Sequence, residues 1–443
     1  MPTAIEIYQQ LPQTNCGDCG VPTCLAFAMK LAGGQASLDE CPHVTEEAKA
    51  ALSEASAPPM ATITIGEGDK AVEVGGETVL FRHDEKFHHP CGLAMALDSS
   101  LPPDKLAEKA KQLGELAFDR VGNMIGLDLL AVRDAGDGSL AEAAKAVAEA
   151  AGLPLVLISD DPGAMKAALE QVADGKPLIY AATADNLDAM AQLATEHSCP
   201  LTVRASGLEA LAELSAKAAE AGVEDLVLDP EPQTQGDAVR QQTAMRRAAL
   251  NQKFKPLSFP SICFTGGETT EEKILQAITC IAKYAGILVA DFEEPTLVLP
   301  LVTERLNIYT DPQRPPQIDQ GVYEVGEPTE QSPVLVTTNF SLTYFLVEGD
   351  VSATKVPTWI VVVDTEGTSV LTAWANEAFT GEIIAKVVNE CGIEEKVSHR
   401  NLVLPGGVAV LSGKLQEESG WEVTVGPKES SGIPAFYNEQ GFK

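Results

Sequence analysis

From Leu93 to Phe292 the chain alternates short, almost unbroken apolar runs with longer stretches rich in Ala, Glu, Lys and Leu. A short apolar run reads as a strand buried on both faces, and the stretch that follows reads as an amphipathic crossover helix. Eight such strands can be counted, beginning near Leu93 (LAMALD), Ile125 (IGLDLLAV), Pro154 (PLVLIS), Pro177 (PLIYAA), Leu201 (LTVRA), Asp225 (DLVLDP), Ser261 (SICFTG) and Ile287 (ILVADF). Helices are expected over 141–151, 162–173, 186–196 and 208–221. Eight regular βα units without a glycine-rich phosphate turn predict a closed (β/α)8 TIM barrel over residues 93–320, in preference to an open doubly wound sheet. Asp98, Asp134, Asp160, Asp161, Asp229 and Asp291 fall at the carboxyl ends of these strands, where they serve as readily for helix caps as for catalysis.

The same alternation resumes after the proline-rich 309–316. Strands are expected at 333–338 (PVLVTT), 359–364 (WIVVVD), 401–405 (NLVLP) and 422–426 (EVTVG), with a helix over 380–391. That pattern predicts a parallel, flavodoxin-like (Rossmann-like) α/β domain over 326–443. Small polar residues and glycines follow each strand, at 338–341, 364–369, 406–409 and 426–432. An open parallel sheet carries all such loops to one edge, where glycines admit a bulky ligand and hydroxyls bind it without charge. Ahead of the barrel, 59–92 reads as a linker with short strands at 61–65 (ATITI) and 78–81 (TVLF), and 1–58 as a small cysteine-clipped module.

That module holds Cys16, Cys19, Cys24 and Cys41 in the spacing C-x2-C-x4-C-x16-C, with Pro42 after the last. Three thiolates within nine residues can grip one face of a [4Fe-4S] cluster, and a distant Cys-Pro closes the cage. Four thiolates also suit structural zinc, although zinc sites more often repeat a C-x2-C pair. The remaining cysteines, Cys91, Cys199, Cys263, Cys280 and Cys391, are scattered and read as small buried hydrophobes.

Composition narrows the function. Against 31 Lys and Arg stand 64 Asp and Glu, a formal charge of -33 that repels phosphate backbones and excludes nucleic acid as a partner. No apolar run is long enough to span a membrane, and the N-terminus lacks the blocks of a signal peptide, so a cytoplasmic protein is expected.

Several strings together give the chain a family. Glu6-Ile7-Tyr8 with the Gln-Leu-Pro leading to the cysteines, Leu80-Phe81-Arg82-His83-Asp84, Asn307 with Tyr309-Thr310-Asp311-Pro312, VTTNFSLTY over 336–344, and Gly420-Trp421-Glu422-Val423 through Gly426-Pro427 carry the resemblance. On these, and on its order of parts, the chain resembles large (gamma) subunits of corrinoid iron-sulfur proteins of the acetyl-CoA decarbonylase/synthase (Wood-Ljungdahl) system. The resemblance implies a methyl carrier whose cofactors are a [4Fe-4S] cluster and a cobamide. In that family a cob(I)amide takes a methyl group from a methyl-tetrahydropterin through a partner methyltransferase and delivers it to the Ni-Fe-S cluster of acetyl-CoA synthase/CO dehydrogenase. The iron-sulfur cluster reductively reactivates Co(II) to Co(I). The implied class is a methyltransferase component with no catalytic side chain of its own, paired in a heterodimer with a small TIM-barrel subunit. Cobamide contacts are then expected at Thr338, Asn339, Ser341, Thr343, Gly367, Thr368, Ser369, Val370, Gly406, Gly407, Gly426, Ser430, Ser431 and Gly432. The string Asp-x-His-x-x-Gly is absent and His399 is the only histidine after residue 197, so no protein imidazole is expected beneath cobalt. A competing reading, an electron-transfer protein or reductive activator of another corrinoid enzyme, would use the same cysteines and leave the C-terminal loops without a ligand.

Overall fold

A computed structural model of the chain describes residues 4–32, 36–45, 48, 59–120, 123–292, 294–313 and 315–442. The last part of the expected cysteine module, 49–58, lies outside the described residues. Two compact units are present, residues 1–116 with 126–309, and 117–125 with 310–443.

Strands are numbered in chain order. In the first unit β1 (Thr62–Ile65) and β2 (Val72–Gly75) form a hairpin, and β3 (Gly92–Asp98) opens the barrel. After β4 (Ala117–Arg120) and β5 (Asn123–Gly126), the barrel continues with β6 (Leu129–Arg133), β7 (Leu155–Ile158), β8 (Leu178–Ala182) and β9 (Leu201–Arg204). It ends with β10 (Leu226–Asp229), β11 (Ser261–Phe264) and β12 (Ala285–Ala290). Every neighbouring barrel pair is parallel, and β12 pairs with β3 to close the ring. All five residues of β8 are buried, which is why these strands appear in the sequence as unbroken apolar runs. The helix Leu140–Ala151 buries Leu140, Ala143, Ala144 and Val147, one face at helical spacing, and stops at Gly152 with φ 59°.

Ahead of residue 310 the structure departs from the sequence expectation at three places. The string IGLDLLAV, expected as one strand, is divided: Ile125 belongs to β5, which pairs with β4 in a two-stranded ribbon, while Leu129–Arg133 enters the barrel. Asp128 separates them because its carboxylate accepts the Leu93 N–H at 2.8 Å and binds the Arg305 guanidinium.

The second correction concerns the expected linker. Ile63, Ile65 and Val74 of the hairpin are buried against Leu129, Val156, Leu178 and Ile287 of the barrel strands. The Ala61 N–H donates to Ser258 O and the Gly66 N–H to Lys176 O, both just ahead of strands. The hairpin therefore plugs the amino-terminal end of the barrel. Gly75 is required there, since φ is +87° and a Cβ would sit 2.2 Å from Ala61 O.

Third, 78–81 is not a strand. Its backbone is committed to side chains instead: Arg246 donates to Val79 O at 3.2 Å and Tyr284 to Leu80 O at 2.8 Å. Arg246 also pairs with Glu77 at 3.1 Å, where both side chains are 4% exposed, and lies over the rings of Phe87 and Tyr284. Glu77 further accepts the N–H groups of His88 and His89.

The second unit is built on a five-stranded sheet: β13 (Gly321–Val325), β14 (Val334–Thr338), β15 (Thr358–Val363), β16 (Asn401–Leu404) and β17 (Glu422–Val425). The order is β13-β15-β14-β16-β17. Four strands are parallel as expected, and β13 is an antiparallel edge on β15 that precedes the expected start of the domain. Apolar residues alternate across the sheet. Val334, Val336, Trp359 and Val361 pack with Ile384, Val388 and Leu415 on one face, while Leu335, Ile360, Val362 and Val403 pack with Tyr344, Val351 and Tyr437 on the other. The result is the three-layer flavodoxin-like arrangement.

Removing one partner of a buried ion pair leaves the other charge uncompensated. Glu77→Ala should cost roughly 3–5 kcal/mol of barrel stability, whereas Glu67→Gln, which breaks an exposed pair with Lys176, should cost less than about 1 kcal/mol. Urea unfolding followed by far-ultraviolet circular dichroism measures both; equal losses would contradict the assignment.

Candidate functional site

The cysteine module is organised by a small core. Ile7, Leu11, Val21, Phe27, Ala28 and Val44 cluster with the buried Cys24 and Cys41, and the half-buried Cys19 packs against them. Cys16 is exposed. Gly17 and Gly20 adopt φ of +82° and +77°, and the Gly20 N–H donates to Gly17 O at 3.0 Å, so the chain turns tightly between the first two cysteines. Asn15 joins the loop to the helix Cys24–Ala32: its side-chain oxygen accepts the Cys24 N–H at 2.8 Å and its own N–H donates to Cys24 Sγ at 3.4 Å. A turn at Leu38–Glu40 brings Cys41 back, with the Cys41 N–H on Leu38 O. Soft thiolates on glycine turns, one of them already receiving a backbone N–H, are a donor set that fits an iron-sulfur cage. On the exposed side, ligand atoms of Cys16, Asp18 and His43 lie within 4.8 Å of one another, and His43 Nε2 is 2.7 Å from Asp18 Oδ2. Sequence reasoning gave Asn15, Asp18 and His43 no role.

In the second unit the site forms where the strand order reverses. The crossover after β14 leads to β15 on one side, and β16 lies on the other. Whereas β14 and β15 share five registered pairs, β14 and β16 share only Leu335 with Val403. A cavity of about 490 Å³ opens there. Leu335, Val403, Leu346, Val347, Phe436 and Tyr437 give it an apolar lining, and Thr337, Thr343, Ser369 and Ser430 supply hydroxyls. Gly407 and Gly426 stand at its edge, with Val370, Leu371, Lys428 and Glu429. Thr337 Oγ1 is buried without a hydrogen-bond partner among the described residues. An orphaned hydroxyl over an apolar floor fits a largely apolar ligand with polar substituents.

The expected contacts divide. Thr343, Ser369, Val370, Gly407, Gly426 and Ser430 line the cavity. Thr338, Asn339, Ser341, Gly367, Thr368, Gly406, Ser431 and Gly432 are not among its lining residues, and most have structural roles of their own. The Asn339 side-chain oxygen accepts the N–H groups of Thr365 and Gly367 at 2.9 and 3.0 Å, and its nitrogen donates to Asp364 at 2.8 Å, clasping the 364–369 loop from within. Thr368 donates to Thr365 O in the same loop. Gly406 faces backbone, since a Cβ would meet Gly426 O at 2.4 Å, and at Gly367 and Gly432 it would meet Pro315 and Pro427. Thr338 and Ser341 are fully enclosed, and Ser431 belongs to the short turn Ser430–Gly432. Thr337, missed in the sequence, was one residue away: period-two alternation places it with Leu335 on the cavity face and Thr338 opposite. Phe436 and Tyr437 come from the helix Ile433–Gln440, whose aromatic pair was the available signal.

His399 lies ahead of β16, and both ring nitrogens are engaged, Nε2 with Ser332 O at 2.9 Å and Nδ1 with the Asn401 N–H at 3.2 Å. In the barrel, Asp161 caps the helix Pro162–Val172, Asp98 accepts from Ser100, and Asp134 accepts from Ser159 and Gly136. Asp160 pairs with Arg204 and Asp291 with Arg133. Asp229 accepts the Tyr180 hydroxyl at 2.7 Å, and burial pushes its carboxyl above the usual range. Each of these aspartates has such a tether or cap. Among the described residues no helix is long and apolar enough to cross a membrane.

Residues 62–437 match the family described as CO dehydrogenase/acetyl-CoA synthase delta subunit, and residues 11–43 match one described as "Putative Fe-S cluster". The corrinoid/iron-sulfur protein large subunit of Moorella thermoacetica is 47% identical over 98% of both chains. The acetyl-CoA decarbonylase/synthase complex subunit gamma of Methanothermobacter thermautotrophicus is 38% identical over 99% of this chain and 98% of its own. Dihydropteroate synthase from Thermus thermophilus covers 55% of the chain at 17% identity with a TM-score of 0.37, too distant to carry an argument. The delta description covers the chain only from residue 62, whereas the full-length identities include the cysteine-bearing front. The chain belongs to the family of corrinoid/iron-sulfur protein large subunits and acetyl-CoA decarbonylase/synthase gamma subunits.

Proposed function

We propose that this protein is a cytoplasmic methyl carrier of the reductive acetyl-CoA system, a methyltransferase component that receives a methyl group from a methyl-tetrahydropterin through a partner methyltransferase and passes it to acetyl-CoA synthase/CO dehydrogenase. The observation that carries the reading is the cavity at the β14/β16 switch point, present in the same chain as a four-cysteine module and in a family named for corrinoid and iron-sulfur. When bound, a cobamide supplies a cobalt centre that accepts and releases methyl, and a [4Fe-4S] cluster supplies single electrons.

The chain's own residues hold and shield these groups. Cys16, Cys19, Cys24 and Cys41 hold the cluster, with the Asn15 N–H on Cys24 Sγ. Leu335, Val403, Phe436 and Tyr437 exclude water from the cavity, and Thr337, Thr343, Ser369 and Ser430 offer hydrogen bonds to a cobamide. A cavity of about 490 Å³ accommodates part of such a ligand, so the remainder would rest against the edge formed by Val370, Gly407 and Gly426. Asn339, Gly367, Thr368, Gly406 and Gly432 contribute by holding those loops in shape. The committed nitrogens of His399 support a cobalt without a protein imidazole beneath it. Leu342, Leu346, Leu371, Trp374 and Val410 are exposed on the segments around the carboxyl edge, an apolar surface suited to the small TIM-barrel subunit of a heterodimer. The barrel serves as scaffold, its strand-end aspartates already occupied.

Two outcomes test this. Cys24→Ala should slow reductive reactivation of the oxidised protein by about tenfold or more while leaving methyl delivery from protein already methylated unchanged. Anaerobic single-turnover assays separate the two rates, and loss of methyl delivery in folded, cobamide-loaded variant would overturn the division. Thr337→Val removes the orphaned hydroxyl at constant shape. Without ligand it should stabilise the second unit by about 1 kcal/mol, and it should weaken cobamide retention about tenfold. Trp359 and Trp421 lie in that unit's core, so fluorescence-detected unfolding reads the first effect and equilibrium dialysis the second. Unchanged retention would exclude this cavity as the cobamide site.

A further inference from the structure

Asp18 and His43 are separated by 25 positions in the chain, yet their side chains meet at 2.7 Å beside Cys16. Among the described residues, these three form the one group whose ligand atoms, a sulfur, a carboxylate oxygen and an imidazole nitrogen, all lie within 4.8 Å of one another. Their surroundings differ from those of the other cysteines. Cys24 and Cys41 are enclosed in the small apolar core, whereas the side chains of His43 and Asp18 are 48% and 53% exposed. His43 follows Cys41 by two residues and Asp18 follows Cys16 by two, so both are fixed by the segments that position the thiols.

Resting on the reading that these cysteines hold a [4Fe-4S] cluster, we infer that Asp18 and His43 are reserve ligands for the iron at the Cys16 corner. When Cys16 is detached or removed, the iron–sulfur bond to its thiolate is replaced by a bond from the His43 imidazole nitrogen or an Asp18 carboxylate oxygen. No electron is gained or lost in the exchange. Iron accepts both donor types, and the hydrogen bond between the two side chains orients the imidazole as a carboxylate orients histidine ligands elsewhere. Exposure makes the exchange inexpensive, because neither side chain leaves a packed site to reach the metal. Cys24 is buried and hydrogen-bonded to Asn15, with no His, Asp or Glu ligand atom grouped beside it among the described residues, so the opposite behaviour is expected at that corner.

The test uses the full chain, reconstituted anaerobically with ferrous iron and sulfide, and reads iron content and electron paramagnetic resonance of the reduced cluster rather than activity. Cys16→Ala should retain about four irons per chain; nitrogen hyperfine coupling that the unaltered protein lacks marks His43 as the new ligand, and about four irons without it mark the Asp18 carboxylate. Adding His43→Ala and Asp18→Ala to that background should remove at least about one iron, while the same two changes with Cys16 intact should leave iron content unchanged. If Cys16→Ala loses as much iron as the triple variant, or if the triple variant keeps its full complement, the inference fails. Cys16→Gly, which likewise leaves no donor at that position, provides the same comparison should the alanine variant not fold. Absence of iron from the unaltered protein would instead refute the cluster reading itself.

Discussion

The second unit depends on a constraint of parallel sheets: where the winding reverses, adjacent strands must send their connections away from one another. Here β14 and β16 meet only at Leu335 and Val403, so no loop fills the space above that pair. The neighbouring pairs β14/β15 and β16/β17 remain in register along their length. The cavity follows from topology, and side chains then determine its chemistry. Leu335 and Thr337 project into it from one strand, hydroxyls and glycines from the loops, and Phe436 and Tyr437 from the last helix.

The front of the chain solves a different problem. A segment this short cannot enclose a large core, and its small cluster of apolar residues incorporates cysteines as members. Under the proposed ligation packing and metal binding would be coupled in it, since Cys24 and Cys41 are core residues as well as proposed cluster ligands. The barrel that follows in the chain is closed at its amino-terminal end by the β1–β2 hairpin and fastened by the Glu77–Arg246 pair. Its strand-end aspartates are tied to a helix N-terminus, serine hydroxyls, tyrosine or arginine.

Much of this was legible because burial on both faces leaves a simple mark. All eight barrel strands and three of the four parallel strands of the second unit coincide with apolar runs, whereas β17 is a partly exposed Glu-Val-Thr-Val. Several others without that mark were missed. β2 is a short Val-Glu-Val-Gly, β5 is largely exposed, and β13 is a half-exposed edge. The 78–81 segment had β composition, but Arg246 and Tyr284, more than 150 residues away, claim its carbonyls. At the candidate cobamide site, loops rich in Ser, Thr and Gly pointed to the sheet edge where the cavity opens without distinguishing lining residues from supports. Asn339 looked like a contact and is a clasp, while Thr337 and the aromatic pair near the C-terminus belong to the lining. Those distinctions depend on side-chain direction and on long-range packing, neither of which a loop's composition encodes.

The central claim is that one polypeptide holds iron by thiolates in its N-terminal module and a cobamide in the largely apolar cavity of its second unit. Metal analysis with an ultraviolet-visible spectrum of the anaerobically purified, cofactor-loaded complex tests it most directly. The account predicts about four irons and one cobalt for each copy of this chain, with cobamide bands superimposed on iron-sulfur absorption. Zinc in place of iron, or iron without any cobamide, would contradict it.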